Sequence, residues 1–223
     1  MSGNGCCHTR VEALRAEMAR FAGSPRRGGA PSISSGCAAL DQLLPEQGFR
    51  GGTLVEWLAA GAGTGAATLA LKTAAQACRH DGRLMVLDRA GEFYPPAAVR
   101  FGIDPARLIV VHAHNTADHH WALDQALRCP AVAATVAWPD AGGGKLDGRT
   151  FRRLQLAVEE GGGLGLLLRP ETLRHEPSWA DVRLLVESLP GASPSGRKRR
   201  LRIFVLRCRG SGGGRHIEVK IGP

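Results

Sequence analysis

The stretch Thr53 to Thr68, TLVEWLAAGAGTGAAT, decides the fold, because an apolar strand runs into a glycine loop and the loop runs into a helix. That succession is the frame of a phosphate-binding loop. Glycines at Gly61, Gly63 and Gly65 let the backbone turn tightly and aim N–H groups at an anion, and the helix starting near Ala66 adds its positive dipole end. The side chains that perform the chemistry are missing. In the pattern G-x-x-x-x-G-K-[ST], the frame ending on Gly65 puts Ala60 at the first Gly, Ala66 at the Lys and Ala67 at the Mg²⁺-holding hydroxyl. Gly61, Gly63, Gly65 and Thr68 read as the remnant of a phosphate loop. Two other readings stay open: a dinucleotide fingerprint formed by Gly61, Gly63 and Ala66 with Asp88 ending the next strand, and glycines that only let strand and helix pack closely.

Working outward, Ser34-Ser35 is an N-cap candidate for a helix with Leu40, Leu43 and Leu44 inward, stopped by Pro45, and Gly48 to Gly52 turns the chain into the central strand. Downstream, strand and helix signals alternate. Helices are expected over 67–80, 97–101, 116–128 and 147–160, with apolar strands at 84–88, 108–112, 132–138 and 164–168. Continuous apolar strands separated by helices point to a parallel sheet covered on both faces. The strands at 182–187, 201–208 and 216–221 have no helices between them, and Ser211 to Gly214 reads as a turn, so the sheet is expected to end in an antiparallel hairpin. Ahead of all this, Val11, Leu14, Met18 and Phe21 share one face of a short helix, and Ser24 to Pro31 reads as a linker. Residues 1–31 are thus an N-terminal helix and linker, 32–190 the core, and 191–223 a basic loop with the hairpin.

The chain has 223 residues, 43% of them hydrophobic, enough to bury a core. No apolar run approaches the ~18 residues of a membrane span, and the N-terminus lacks the apolar centre of a signal peptide, so a cytoplasmic location is expected. Six cysteines form no C-x-x-C pair, which argues against a disulfide framework or a zinc ribbon. His112, His114, His119 and His120 cluster at a strand end and a helix start, but no carboxylate or Cys completes a metal site at ligand spacing, and they read as capping or solvated side chains. The net charge of +9 is concentrated at one end: from Arg197 onward there are nine basic residues and one acidic, against 20 and 19 in the 196 residues before it. Arg197, Lys198, Arg199, Arg200, Arg202, Arg207 and Arg209 are therefore the candidate DNA contacts, although alternation along a strand puts Arg207 on the face opposite Arg202 and breaks up a single stripe. Phe93 and Tyr94, in an exposed-looking aromatic loop, and Val11, Leu14 and Met18 are the candidate partner contacts.

In their order along the chain, Ile33-Ser34-Ser35-Gly36, Leu40 to Leu44, Gly51 to Glu56 and the glycine loop resemble the start of the RecA core. The resemblance continues through Leu87-Asp88, Phe101 to Asp104 and Leu108 to Val110. With the eroded loop, Ala137-Trp138-Pro139 and Leu206 to Gly210, the chain resembles the ImuA family within that superfamily. The resemblance implies a RecA-like three-layer α/β core and a place in damage-induced (SOS) translesion DNA synthesis. The partners it implies are an inactive Y-family polymerase (ImuB), an error-prone replicative-type polymerase, RecA and DNA. RecA's Lys and Thr fall on Ala66 and Ala67, its catalytic Glu on Ala90, and no acid ends the strand at Ala137-Trp138. ATP hydrolysis is therefore not expected, nucleotide binding should be weak or absent, and no cofactor is expected. The segment Arg169 to Asp181, where RecA's second DNA-contacting loop would lie, is short. The readings that compete with a non-enzymatic adaptor are an ATP-dependent DNA-repair ATPase and a cell-division inhibitor of the SulA kind.

Overall fold

A computed structural model of the protein describes residues 32–61, 63–140, 146–190, 199–210 and 213–222. The predicted N-terminal helix, with Val11, Leu14 and Met18, lies outside the described residues, as do Arg197 and Lys198. Eight strands form one sheet in the order β3-β2-β4-β5-β1-β6-β7-β8. The strands are β1 (Thr53–Ala59), β2 (Arg83–Leu87), β3 (Leu108–Val111), β4 (Val132–Ala137), β5 (Leu164–Pro170), β6 (Val182–Leu189), β7 (Arg199–Cys208) and β8 (Arg215–Ile221). The first six run parallel, and β7 and β8 pair antiparallel, so the C-terminal hairpin extends the core's own sheet.

The helices are α1 (Ala38–Asp41), α2 (Ala66–Ala77), α3 (Pro95–Arg100), α4 (Thr116–Arg128) and α5 (Gly148–Gly161). Alternation along each strand splits the core in two. On one face Val55 and Trp57 pack with Leu69, Ala70 and Ala74 of α2, with α1 through Leu40, and with Leu201, Ile203 and Val205 of β7. On the other, Leu54, Met85 and Leu167 meet Leu123 and Leu127 of α4 and Phe151, Leu154 and Val158 of α5. Helices therefore cover both faces, giving the three layers of a RecA-like α/β fold. The strong one-sidedness of α5 leaves Arg149, Arg152, Arg153 and Leu156 outward, and Asp147 caps it by accepting from Thr150 N at 2.7 Å, which lowers the Asp147 pKa.

Local chemistry departs from the sequence reading in two places. The helix expected from Ser34-Ser35 is one turn, and its N-cap is Cys37. Asp41 reaches back instead, accepting from Ser34 Oγ at 2.6 Å and from Ser35 N at 2.7 Å, so the serines close a loop rather than start a helix. In β7 the partners of Arg183 and Leu184 are Arg207 and Val205, which leaves Leu206 as an extra residue. This bulge reverses the alternation, and Arg207 lies on the same face as Arg202, opposite to the sequence expectation.

Candidate functional site

The glycine loop follows β1 and leads into α2. Gly61, Gly63 and Gly65 have φ of 127°, 71° and 89°, in the region that favours glycine. Gly65 caps α2, but the space over it is filled: a Cβ there would lie 2.6 Å from Leu201 Cδ1 and 3.2 Å from Ile221 Cδ1. Ala66, at the lysine position, is buried, and Arg199 Nη1 donates to the Gly63 carbonyl at 2.9 Å. The hairpin strands thus pack on the loop. Thr68 lines an adjoining cleft of about 640 Å³ with Leu71, Phe93, Tyr94, Trp138 and Arg199.

Two acids beyond the strand ends, Asp88 and Asp140, are committed to structure, while Glu92 lines the cleft. Asp88, ending β2, accepts from Gly91 N at 3.0 Å and Phe93 N at 2.8 Å, so it clamps the aromatic loop. Phe93 packs on the core and Tyr94 stays 67% exposed. Asp140, the acid beyond β4, accepts from Arg169 Nε at 2.6 Å and from Arg169 Nη2 at 3.2 Å.

Arg169 leads into a buried ionic cluster. Its Nη1 donates to Glu56 Oε1 at 2.6 Å, and the Glu56 side chain, midway along β1, is fully buried. Arg183 Nε and Ser178 Oγ (3.0 Å) both donate to Glu56 Oε2. Burial opposes the charge on Arg169, but the hydrogen bond and charge of Asp140, with Glu56, overcome it and raise the Arg169 pKa. Its guanidinium lies 5.3 Å from the centre of the Phe151 ring. The rest of Arg183 donates to the carbonyls of Leu173 and Arg174 at 3.1 Å and Glu176 at 3.3 Å. The segment between β5 and β6 is therefore laced to the sheet. Sequence reasoning missed this cluster, and its signal was a lone carboxylate inside the apolar run LVEWLA.

The described basic residues of β7 and its flanks are bonded within the chain. Arg199 is at the glycine loop. Arg200 and Arg202 share Glu218 of β8 at 2.8 and 2.7 Å, and their hydrogen bonds lower the Glu218 pKa. Arg207 donates to the Ser178 carbonyl at 3.0 Å and to that of Ala180, while Arg209 pairs with Asp181 at 3.2 Å and Glu159 at 3.4 Å. Each of these five arginines thus has a partner within the chain.

No protein-family model matches the chain. Among curated proteins, an alignment 143 positions long, covering 62% of the chain, matches Protein ImuA of Caulobacter vibrioides, in two strains, at 34% identity. The chain is homologous to ImuA. It spans 57% of the length of that relative, little more than half. In this chain the histidines have separate tasks. His112 Nδ1 donates to the Asp88 carbonyl at 2.7 Å and His120 Nε2 to that of Pro139 at 3.1 Å. His119 is buried, and burial first, then the charges of His120 and Arg89, lower its pKa to about 4, so it is neutral at cellular pH. Among the described residues, no group of three or more His, Cys, Asp or Glu is placed to hold a metal ion, and the four described cysteines are free thiols. No described helix is long and apolar enough to cross a membrane.

Proposed function

We propose that this ImuA homologue is a non-catalytic RecA-fold adaptor of the damage-induced mutagenic translesion machinery. It holds an ImuB-type inactive Y-family polymerase together with an error-prone replicative-type polymerase. The observation that supports this reading is the start of α2: Ala66 and Ala67 stand where a phosphate-gripping Lys and a metal-holding hydroxyl would be, and Leu201 and Ile221 pack against Gly65. A site of that make-up lacks the lysine that bridges phosphates and the adjacent hydroxyl that holds Mg²⁺ in a phosphate loop. Asp88 is spent on a loop and Asp140 on Arg169. What is left for the fold to offer is surface.

The test mixes the purified chain with the ImuB-type polymerase encoded in the same genome, with and without Mg²⁺-ATP, and measures complex formation by analytical ultracentrifugation. A complex of equal affinity in both conditions is expected. A complex that forms only with ATP, or none at all, would overturn the adaptor reading.

A further inference from the structure

Four large hydrophobic side chains are substantially exposed among the described residues. Tyr94 and Val99 lie by α3, and Leu156 (44%) and Trp179 (47%) share one shallow depression beside α5. Trp179 is unusual in how firmly it is held. The preceding Ser178 gives its hydroxyl to buried Glu56 at 3.0 Å, and that same oxygen accepts from Ala180 N at 3.1 Å. Arg207 grips the carbonyls of Ser178 and Ala180, and Ala180 is fully buried. Both neighbours of Trp179 are therefore anchored, through the Glu56 cluster and β7, while its indole stays half in solvent. Fixing the backbone beneath an exposed aromatic removes most of the ordering cost of using it as a contact.

The surroundings of that indole are positively charged. Arg149, Arg152 and Arg153, on the first two turns of α5, line the same depression with one carboxylate, Asp147, and Arg153 also pairs with Asp124 at 3.3 Å. The Arg152 guanidinium lies 4.9 Å from the centre of the Trp179 ring. Trp and Arg side by side are the residue types enriched in protein-binding hot spots. Single-stranded nucleic acid fits less well. Leu156 offers nothing to a phosphate, and the depression holds one aromatic rather than a series.

We infer that Leu156 and Trp179, with Arg149, Arg152 and Arg153, form the docking site for a partner-protein segment that carries a bulky apolar side chain beside carboxylates. The apolar side chain rests on Leu156 and the indole, and the carboxylates meet the arginines. The inference rests on the adaptor reading for its partner, the ImuB-type polymerase. Its test compares the unaltered full chain with Leu156→Asp, Trp179→Ala and Tyr94→Ala, measuring affinity for that polymerase and for an oligothymidylate, with melting temperature as the check on folding. Leu156→Asp and Trp179→Ala should each weaken polymerase binding by about tenfold or more, with melting changed by only a few degrees, because both side chains are half in solvent. Tyr94→Ala should leave that affinity unchanged. Unaltered polymerase binding in both depression variants would overturn the docking site and leave the adaptor reading standing, as would loss caused by Tyr94→Ala alone. Weakened oligothymidylate binding with polymerase binding intact would make the face a nucleic-acid surface and overturn it too. An unaltered chain that does not bind the polymerase defeats both readings together.

Discussion

Strand β1 carries two charged-site designs at different points along its length, and they have opposite fates. At its C-terminal end the glycine loop, which reads as an anion site, has alanines at the lysine and hydroxyl positions, and Leu201 of β7 and Ile221 of β8 pack over Gly65. Midway along the strand, Glu56 is a fully buried carboxylate with Arg169, Arg183 and Ser178 around it. The first keeps a shape without its charges, and the second keeps its charges to fix a shape. The fold thus spends its buried electrostatics on holding the β5–β6 segment, and through it Trp179.

The contrast can be broken at either place. The largest effect is expected from Glu56→Leu, which leaves Arg183 and part of Arg169 as buried cations without their carboxylate. Removing one member of a buried ion pair costs about 3–5 kcal/mol, measured by urea unfolding. A loss below about 1 kcal/mol, the level of an exposed pair, would show that water reaches the cluster. Gly65→Val probes the loop. A side chain at φ 89° that also meets Leu201 combines backbone strain with overpacking, for a loss of about 2–4 kcal/mol. If the loop were instead an open pocket lined by mobile strands, the same change would cost only the strain.

The two places also differ in how legible they were. The glycine loop is a local pattern with fixed offsets, so its glycines, its missing lysine and the helix after it could be read directly from Thr53 to Thr68. The α/β class, the mostly parallel sheet and the antiparallel end followed from apolar strands that alternate with helices and then stop alternating. The Glu56 cluster joins residues 113 and 127 positions apart, Arg169 and Arg183, and no local period encodes such a meeting. What the sequence did hold was a carboxylate in the middle of a strand too apolar to face water, which calls for a buried cation. The face of Arg207 was misread for a related reason: a single inserted residue, Leu206, shifts the register of β7, and strict alternation cannot foresee a bulge. The packing of Leu201 and Ile221 on Gly65 depends on how the hairpin crosses the loop, a matter of topology rather than of either segment alone.

The smallest expected effect is the one that matters most. Titrating Mg²⁺-ATP into the purified chain by calorimetry, alongside a phosphate-release assay, tests directly whether the site at the end of β1 has been given over to packing. No saturable heat at millimolar nucleotide and no release above the buffer blank are predicted. Saturable binding with Mg²⁺-dependent turnover, both lost in a folded Gly65→Val variant, would contradict the account and return this loop to enzymes.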